Sequence, residues 1–402
     1  MLAPMDEAAR GALSGAPKGG GQDLPMLPDY GGACLSEVVP ALLARPGGPG
    51  HAGCPPETSA PAWLPGIAAG AAQVVLLVLD GLGWEQLEAH RADVPTLSSM
   101  SGGPITSVAP TTTATALTSL STGLAPAEHG IVGYRLACGG TVLNVLKWTT
   151  PEGDARGRVP PTKLQPHAAF LGRGCPVVSR SEFAGTGFSD AHLSGSPLAG
   201  WRVASSLAVE VRRLLAGGEP FVYAYYDGVD KVAHERGLGE HYAAELRAAD
   251  RLVLDVLDVL VPGAVLVVTA DHGQVEVRRP PIALDDEVMR DVVLLSGEGR
   301  FRWLHVRGKG PAGDATERAA SLCRERYGDV AWVRTREELL GEGWLGPRLA
   351  PGVEARLGDV ALAARAPVAF FDPSDTGEMR LVSRHGSMTR AEMLVPLLAS
   401  SR

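Results

Sequence analysis

A chain of 402 residues can form one large domain or two, and its formal charge of −8, from 45 acidic and 37 basic side chains, leaves no basic excess. That balance argues against a general nucleic-acid binder, which must neutralise phosphates with Lys and Arg. Five scattered cysteines with no CxxC pair fit reduced thiols better than a disulfide framework, so a cytoplasmic protein is expected.

Residues 1 to about 70 are rich in Gly, Pro and Ala and have no sustained period. They read as a partly mobile leader with a short helix around Leu35 to Leu43. The opening MLAPMDEAARGALSG lacks the basic start and apolar core of a signal peptide. The ordered core is expected from Gln73. Val74 to Leu79 is a continuous apolar run, the mark of a strand buried on both faces. Asp80-Gly81-Leu82-Gly83 ends it, and WEQLEAHR opens a helix.

Thr113 to Ser121, after Pro110, reads as a helix, CPVVSR (175–180) as a strand, and WRVASSLAVEVRRLLAGG (201–218) as an amphipathic helix. FVYAYY (221–226) is a strand, HYAAELRAADRLVLDVLDVL (241–260) a long helix and AVLVVTA (264–270) a strand. The apolar stretch 252–270 is broken by Asp255, Asp258 and Pro262, so no membrane span is expected there. This βαβα order predicts an α/β fold: a mostly parallel central sheet sandwiched by helices. After Gly273 the pattern changes: RRPPIALDDE is a loop, RFRWLHVRG a strand, DATERAASLCRERYG a helix and VAWVRT a strand. The expected division is a leader (1–70), a core (71–275 and 370–402) and an α+β cap insertion (276–369). The core resumes with VAFFD, and Thr389 and Glu392 have the spacing of a capping box.

Three of these apolar runs end in an acid: Asp80, Asp230 just after FVYAYY, and Asp271. In a parallel sheet, ligands bind beyond the carboxyl ends of the strands, so the three would face one crevice. Asp230 and His234 are four apart, on one face if the chain turns helical there. Asp271 and His272, at a strand end breaking into Gly273, can both reach inward. With His385 of SRHG and a threonine of PTTTATALTSLSTG, the set suits two divalent metals and a nucleophile. Asp and His together suit zinc, with manganese less closely matched. The threonines precede a helix, whose free N–H groups favour an anion. Metal coordination is one way to activate their weakly nucleophilic hydroxyls. Taken singly, each fragment also has an ordinary reading as a solvated pair, a turn or an N-cap; their joint order is what points to a site.

DGLG, PTTTATALTSLSTGLAPAEHG, DGVDKVAH, TADHG and HG, in this order, resemble the alkaline phosphatase superfamily, and most closely its type I phosphodiesterase/nucleotide pyrophosphatase family. The resemblance covers about 73–273 and 368–400. It implies two metals, usually zinc, with Asp80, Thr113, Asp271 and His272 on one and Asp230, His234 and His385 on the other. It selects Thr113 as nucleophile, nine residues before the Thr122 of T-G-L-x-P. It also implies a phosphate-ester hydrolase, and a small-molecule ester or nucleotide as partner.

One position departs. Where the family's diesterases commonly place an asparagine that binds a phosphoryl oxygen, this chain has Tyr134. Tyr134 is therefore a candidate substrate donor, with Asn144 and Lys147 as alternatives. His129 reads as structural and Asp227 as a partner orienting a ligand. The segment Pro110–Gly130 holds no Lys or Arg, which favours diesters over the more highly charged monoesters. Phosphomonoesterase is the main alternative. Phosphomutase and a non-catalytic metal binder are weaker ones, and no C-x-P-x-R or S-x-P-x-R marks a sulfatase.

Overall fold

The apolar runs are apolar at every position because they are covered on both faces. The computed structural model describes residues 24–45, 60–278, 280–307, 314–375, 377 and 380–402. Its main sheet has seven strands: β1 (Gln73–Leu79), β2 (Ser101–Thr106), β3 (Val177–Arg180), β4 (Leu198–Trp201), β5 (Phe221–Tyr226), β6 (Ala264–Thr269) and β7 (Leu394–Ser401). They lie in the order β2-β7-β6-β1-β5-β3-β4. β1 is central: Val75 sits between Leu266 of β6 and Val222 of β5, both parallel to it. Every residue of β5 and β6 is buried, as helix-covered parallel strands require. The expected α/β architecture is what forms.

β7 alone runs against its neighbours, β6 and β2. Its amino end therefore meets the carboxyl ends of the other strands, and the chain just before it arrives at the same edge as Asp80, Asp230 and Asp271. β2 and β4 were not foreseen. β2 is SGGPIT and carries little apolar signal, while Trp201, read as the start of a helix, ends β4 and the helix begins at Ser205.

The threonine-rich segment folds as a helix, Thr113–Thr122, with every residue from Ala114 onward buried. Its hydroxyls fold back on the helix: Thr118 Oγ1 donates to the Ala114 carbonyl and Thr122 Oγ1 to that of Thr118, each at 2.6 Å. That leaves these hydroxyls satisfied without water. The Leu35–Ala44 helix packs on it and is itself buried. The expected mobile leader is thus, at its described residues, part of the core; residues 1–23 and 46–59 lie outside the described set.

The inserted segment builds a second antiparallel sheet from Val292–Glu298, Phe301–Val306, Val360–Ala364 and Ala331–Thr335. Its pleat divides two environments. Phe301, Trp303, Ala361 and Ala363 face the main core, whereas Leu304, Val306, Leu362 and Ala364 join the cluster holding Ala320 and Cys323 of the Asp314–Tyr327 helix. The insertion is therefore docked along one whole face. Val368 and Phe370, read as the core resuming, pack in this second cluster instead, because apolarity alone cannot say which core a residue joins. A further small sheet, Arg135–Cys138, Thr141–Asn144, Thr149–Thr150 and Gly153–Asp154, was not anticipated. No helix among the described residues is long and apolar enough to cross a membrane.

Candidate metal centre

The strand ends bring the acids together. Asp80 follows β1, Asp271 and His272 follow β6, and Asp230 and His234 lie one turn apart on the Gly228–Arg236 helix after β5. Gly81 makes the first turn possible: its φ is +76°, and a Cβ there would meet the Asp230 Cβ at 2.9 Å. Its N–H donates to Asp271 Oδ1 at 3.0 Å, as does that of His272.

The three histidines share one arrangement. His272 Nδ1 lies 3.1 Å from the Gly273 carbonyl, His234 Nδ1 2.7 Å from that of Ser383, and His385 Nδ1 2.8 Å from that of Thr111. A carbonyl only accepts, so each Nδ1 donates a proton there and each Nε2 is turned toward the acids. Around His272 Nε2 stand Thr113 Oγ1 at 3.1 Å, Asp271 Oδ2 at 3.3 Å and Asp80 Oδ1 at 3.5 Å. Asp80 Oδ1 and Asp271 Oδ2 are buried without a hydrogen bond. His234 Nε2 and His385 Nε2 lie 3.3 and 3.9 Å from Asp230 Oδ1, and the His385 ring stacks on His272 at 3.5 Å.

Lone pairs facing lone pairs in a buried space are unfavourable unless a cation lies between them. Burial, then the Asp271 and Asp230 carboxylates, push the Asp80 carboxyl well above the usual range. Burial, then His272 and His234, hold His385 well below the usual histidine value. Two groups have ligand atoms mutually within 4.8 Å: Asp230, His234 and His385, and Asp80, Asp230 and His272. These donors fit divalent ions. In the second group Asp230 stands where the resemblance implies Asp271, whose free Oδ2 lies beside it, 3.3 Å from His272 Nε2.

Thr113 is the first residue of its helix and lines two cavities. The larger, about 750 Å³, also borders Asp80 and Asp230; the smaller, about 270 Å³, borders His234, His385 and Tyr134.

A family model for type I phosphodiesterase / nucleotide pyrophosphatase matches residues 74–388, a span that takes in every residue of this cluster. The chain belongs to that family. It is a phosphoester hydrolase of the phosphodiesterase/pyrophosphatase type. Among solved structures the fold is similar to murine ectonucleotide pyrophosphatase/phosphodiesterase 5, at 15% identity and a TM-score of 0.59, over 82% of this chain and 88% of that one. It is also similar to phosphonoacetate hydrolase from Sinorhizobium meliloti 1021 in complex with phosphonoacetate, at 17% identity and a TM-score of 0.60, over 82% and 90%. No curated protein gives a significant match.

Within this family's site, the expected substrate donors fare unequally. Tyr134 borders the smaller cavity, but its hydroxyl donates to Asp375. Asn144 Oδ1 accepts from the Lys147 backbone N–H at 3.0 Å, closing a hairpin turn, and Lys147 is exposed. Neither borders a cavity that Thr113 lines, so the turn accounts for both. Asp227, read as orienting a ligand, instead accepts from Arg180 at 2.7 Å and pairs with Lys231 at 2.5 Å. His129 is buried between Ser119 Oγ and the Ile131 N–H, as a structural histidine should be. Sequence reading missed Tyr225, whose hydroxyl donates to Asp80, and Gln274, which donates to Asp230 Oδ1 at 2.6 Å. One signal was present: FVYAYY carries three phenols, Tyr223, Tyr225 and Tyr226, on a strand whose every residue is buried, so their hydroxyls need partners.

Proposed function

We propose that the chain cleaves phosphodiesters or nucleotide pyrophosphates in two steps, with Thr113 as the covalent nucleophile and two divalent ions, zinc by donor type, in the cluster. The observation that carries this is the cluster beside the nucleophile: the Thr113 hydroxyl meets His272 Nε2, two unpaired carboxylate oxygens stand beside that nitrogen, and His234 and His385 gather on Asp230. When bound, such ions supply the positive charge that acidifies a hydroxyl and offsets charge on phosphoryl oxygens.

The protein does the rest by position. Thr113 heads a ten-residue helix, so the free N–H groups of the first turn face the incoming phosphoryl group. Attack forms the Oγ–P bond and breaks the bond to the leaving oxygen, which departs with a proton. Water then attacks phosphorus, and Thr113 regains its proton as the phospho-threonine is released. Asp271 is fixed by two backbone N–H groups and each histidine by a carbonyl, so little reorganisation accompanies either step.

Thr113→Ala abolishes turnover in this reading, and acid quenching with labelled substrate leaves label on Thr113. Full activity in Thr113→Ala, or label on another residue, overturns it. One observation favours a monoesterase: Arg300 and Arg384 border the smaller cavity. Arg300 is held by Glu392, so the diester reading is preferred. A higher kcat/KM for p-nitrophenyl phosphate than for its bis ester reverses that choice.

A further inference from the structure

The larger cavity beside Thr113, about 750 Å³, is within the range of sites that enclose whole organic ligands. Its chemistry is uneven. The depth is apolar and uncharged: Leu117, Val177, Phe188 and Tyr223 are all buried. His192, also in the lining, lies flat on Phe188 with ring centroids 3.9 Å apart and donates from Nδ1 to the Phe188 carbonyl at 2.7 Å. Burial holds its pKa down to about 4, so it adds no positive charge at neutral pH.

Outside the metal cluster, the charged residues in the lining are Glu182, Asp190, Asp227 and Lys231. Glu182 and Asp190 are exposed at the rim. Lys231 is engaged with Asp227, which also holds Arg180. Among the described lining residues, no cation remains to receive a second anionic group, and the exposed acids repel one.

Two hydroxyls of the lining, those of Tyr223 and Ser196, are buried, and no hydrogen-bond partner for either exists among the described residues. Tyr223 is the one beside the metal cluster, where burial, then Asp271 and Asp80, push its hydroxyl well above the usual range and keep it a donor. An unmet donor is costly unless a ligand acceptor meets it.

We infer that this cavity receives an uncharged, largely apolar substituent of the phosphoester, whose oxygen acceptor takes the Tyr223 hydrogen bond, and that it rejects substituents carrying a second anion. This rests on the hydrolase reading of the adjacent centre for the position of the phosphoryl group. The cavity then sets specificity through burial of apolar surface.

Calorimetric titration of the metal-loaded protein with phosphonates tests it by binding. From methyl- to butylphosphonate, affinity should rise about fourfold per methylene. 4-Acetylphenylphosphonate should bind about tenfold more tightly than phenylphosphonate, a gain that Tyr223→Phe removes while leaving phenylphosphonate unchanged. 3-Phosphonopropanoate should bind more weakly than butylphosphonate. Equal affinities for methyl and butyl, or tighter binding of the carboxylate, overturn the inference. So does a gain from the acetyl group that survives Tyr223→Phe. Turnover of bis-p-nitrophenyl phosphate, followed separately, tests the reaction itself: hydrolysis with the wrong ranking sinks the inference alone. The right ranking without hydrolysis of any ester sinks the reaction and leaves the cavity assigned. No binding by any phosphonate overturns both.

Discussion

The phenol of Tyr225 donates to Oδ2 of Asp80, from the strand beside it, and Oδ1 of the same carboxylate stays without a hydrogen bond. One oxygen is thus anchored and the other offered. Groups that orient a ligand in this way typically contribute 10- to 100-fold to metal affinity. Tyr225→Phe should therefore weaken divalent-metal binding by about that factor, with the far-ultraviolet circular dichroism unchanged. Competition against a chromophoric chelator measures it, and an unaltered affinity would mean that Asp80 needs no such anchor.

His385 should be required for the full metal complement. It comes from the far end of the chain, and its Nε2 belongs to the cluster with Asp230 and His234. Elemental analysis of saturated protein should give about two ions per chain, falling to about one in His385→Ala. A count of one in both proteins removes the second ion from the mechanism.

Acid should weaken the fold before the carboxylates titrate. Burial holds His129 down to about 3, and His192 and His305 down to about 4. An unfolded chain protonates these rings near pH 6.5. The folded values lie below the unfolded one, so the unfolded state binds the extra protons. Stability should be full above about pH 6.5 and decline progressively toward pH 4. His129→Gln should flatten that slope in urea midpoints measured across the range, at some cost at pH 7. A slope identical to that of the unaltered protein would refute the assignment to His129.

Arg300 and Glu392 join the inserted sheet to the start of the last strand. Both are fully buried, and two parallel bonds of 2.7 and 2.8 Å link them. Breaking such a pair from one side leaves a charge unmatched and costs about 3–5 kcal/mol. Glu392→Ala should show that loss in equilibrium denaturation. Replacing both residues by Met and Leu should recover much of it, and a cost below about 1 kcal/mol for the single change would show that water reaches the pair.

Substrate preference should respond to trimming of the insertion. Shortening its outer part is expected to shift relative rates across an ester panel without loss of metal, because Glu298 and Arg300 border the smaller cavity. Since Phe301 and Trp303 pack into the main core, cuts must stay clear of that strand. Unchanged relative rates would make the insertion purely structural.

How much was legible follows from what each residue does. QVVLLVL, FVYAYY and AVLVVT announce themselves because both their faces are buried, and the ends of those runs locate Asp80, Asp230 and Asp271 without further help. SGGPIT gives no such signal: β2 is held by its ladder to β7 rather than by its side chains. The alanines of Val360–Ala364 are silent for a related reason, being small enough to fit either layer. Thr389 heads a short helix as the spacing predicts, and its hydroxyl donates to the Glu392 carboxylate at 2.5 Å; the same carboxylate also takes Arg300, a partner 92 residues away that local spacing cannot reveal. Tyr225 and Gln274 were missed likewise, since their contacts with Asp80 and Asp230 exist only once the strands lie side by side.

The position of β7 joins the two ends of the chain at the site. β2 leads to Thr113 and β6 to His272, but these two strands do not touch; β7 fills the gap between them. The 3.1 Å between the nucleophile and its nearest ligand is therefore bridged in the sheet by residues 394–401, so the last strand of the chain is also the spacer that sets the two halves of the site at their working separation.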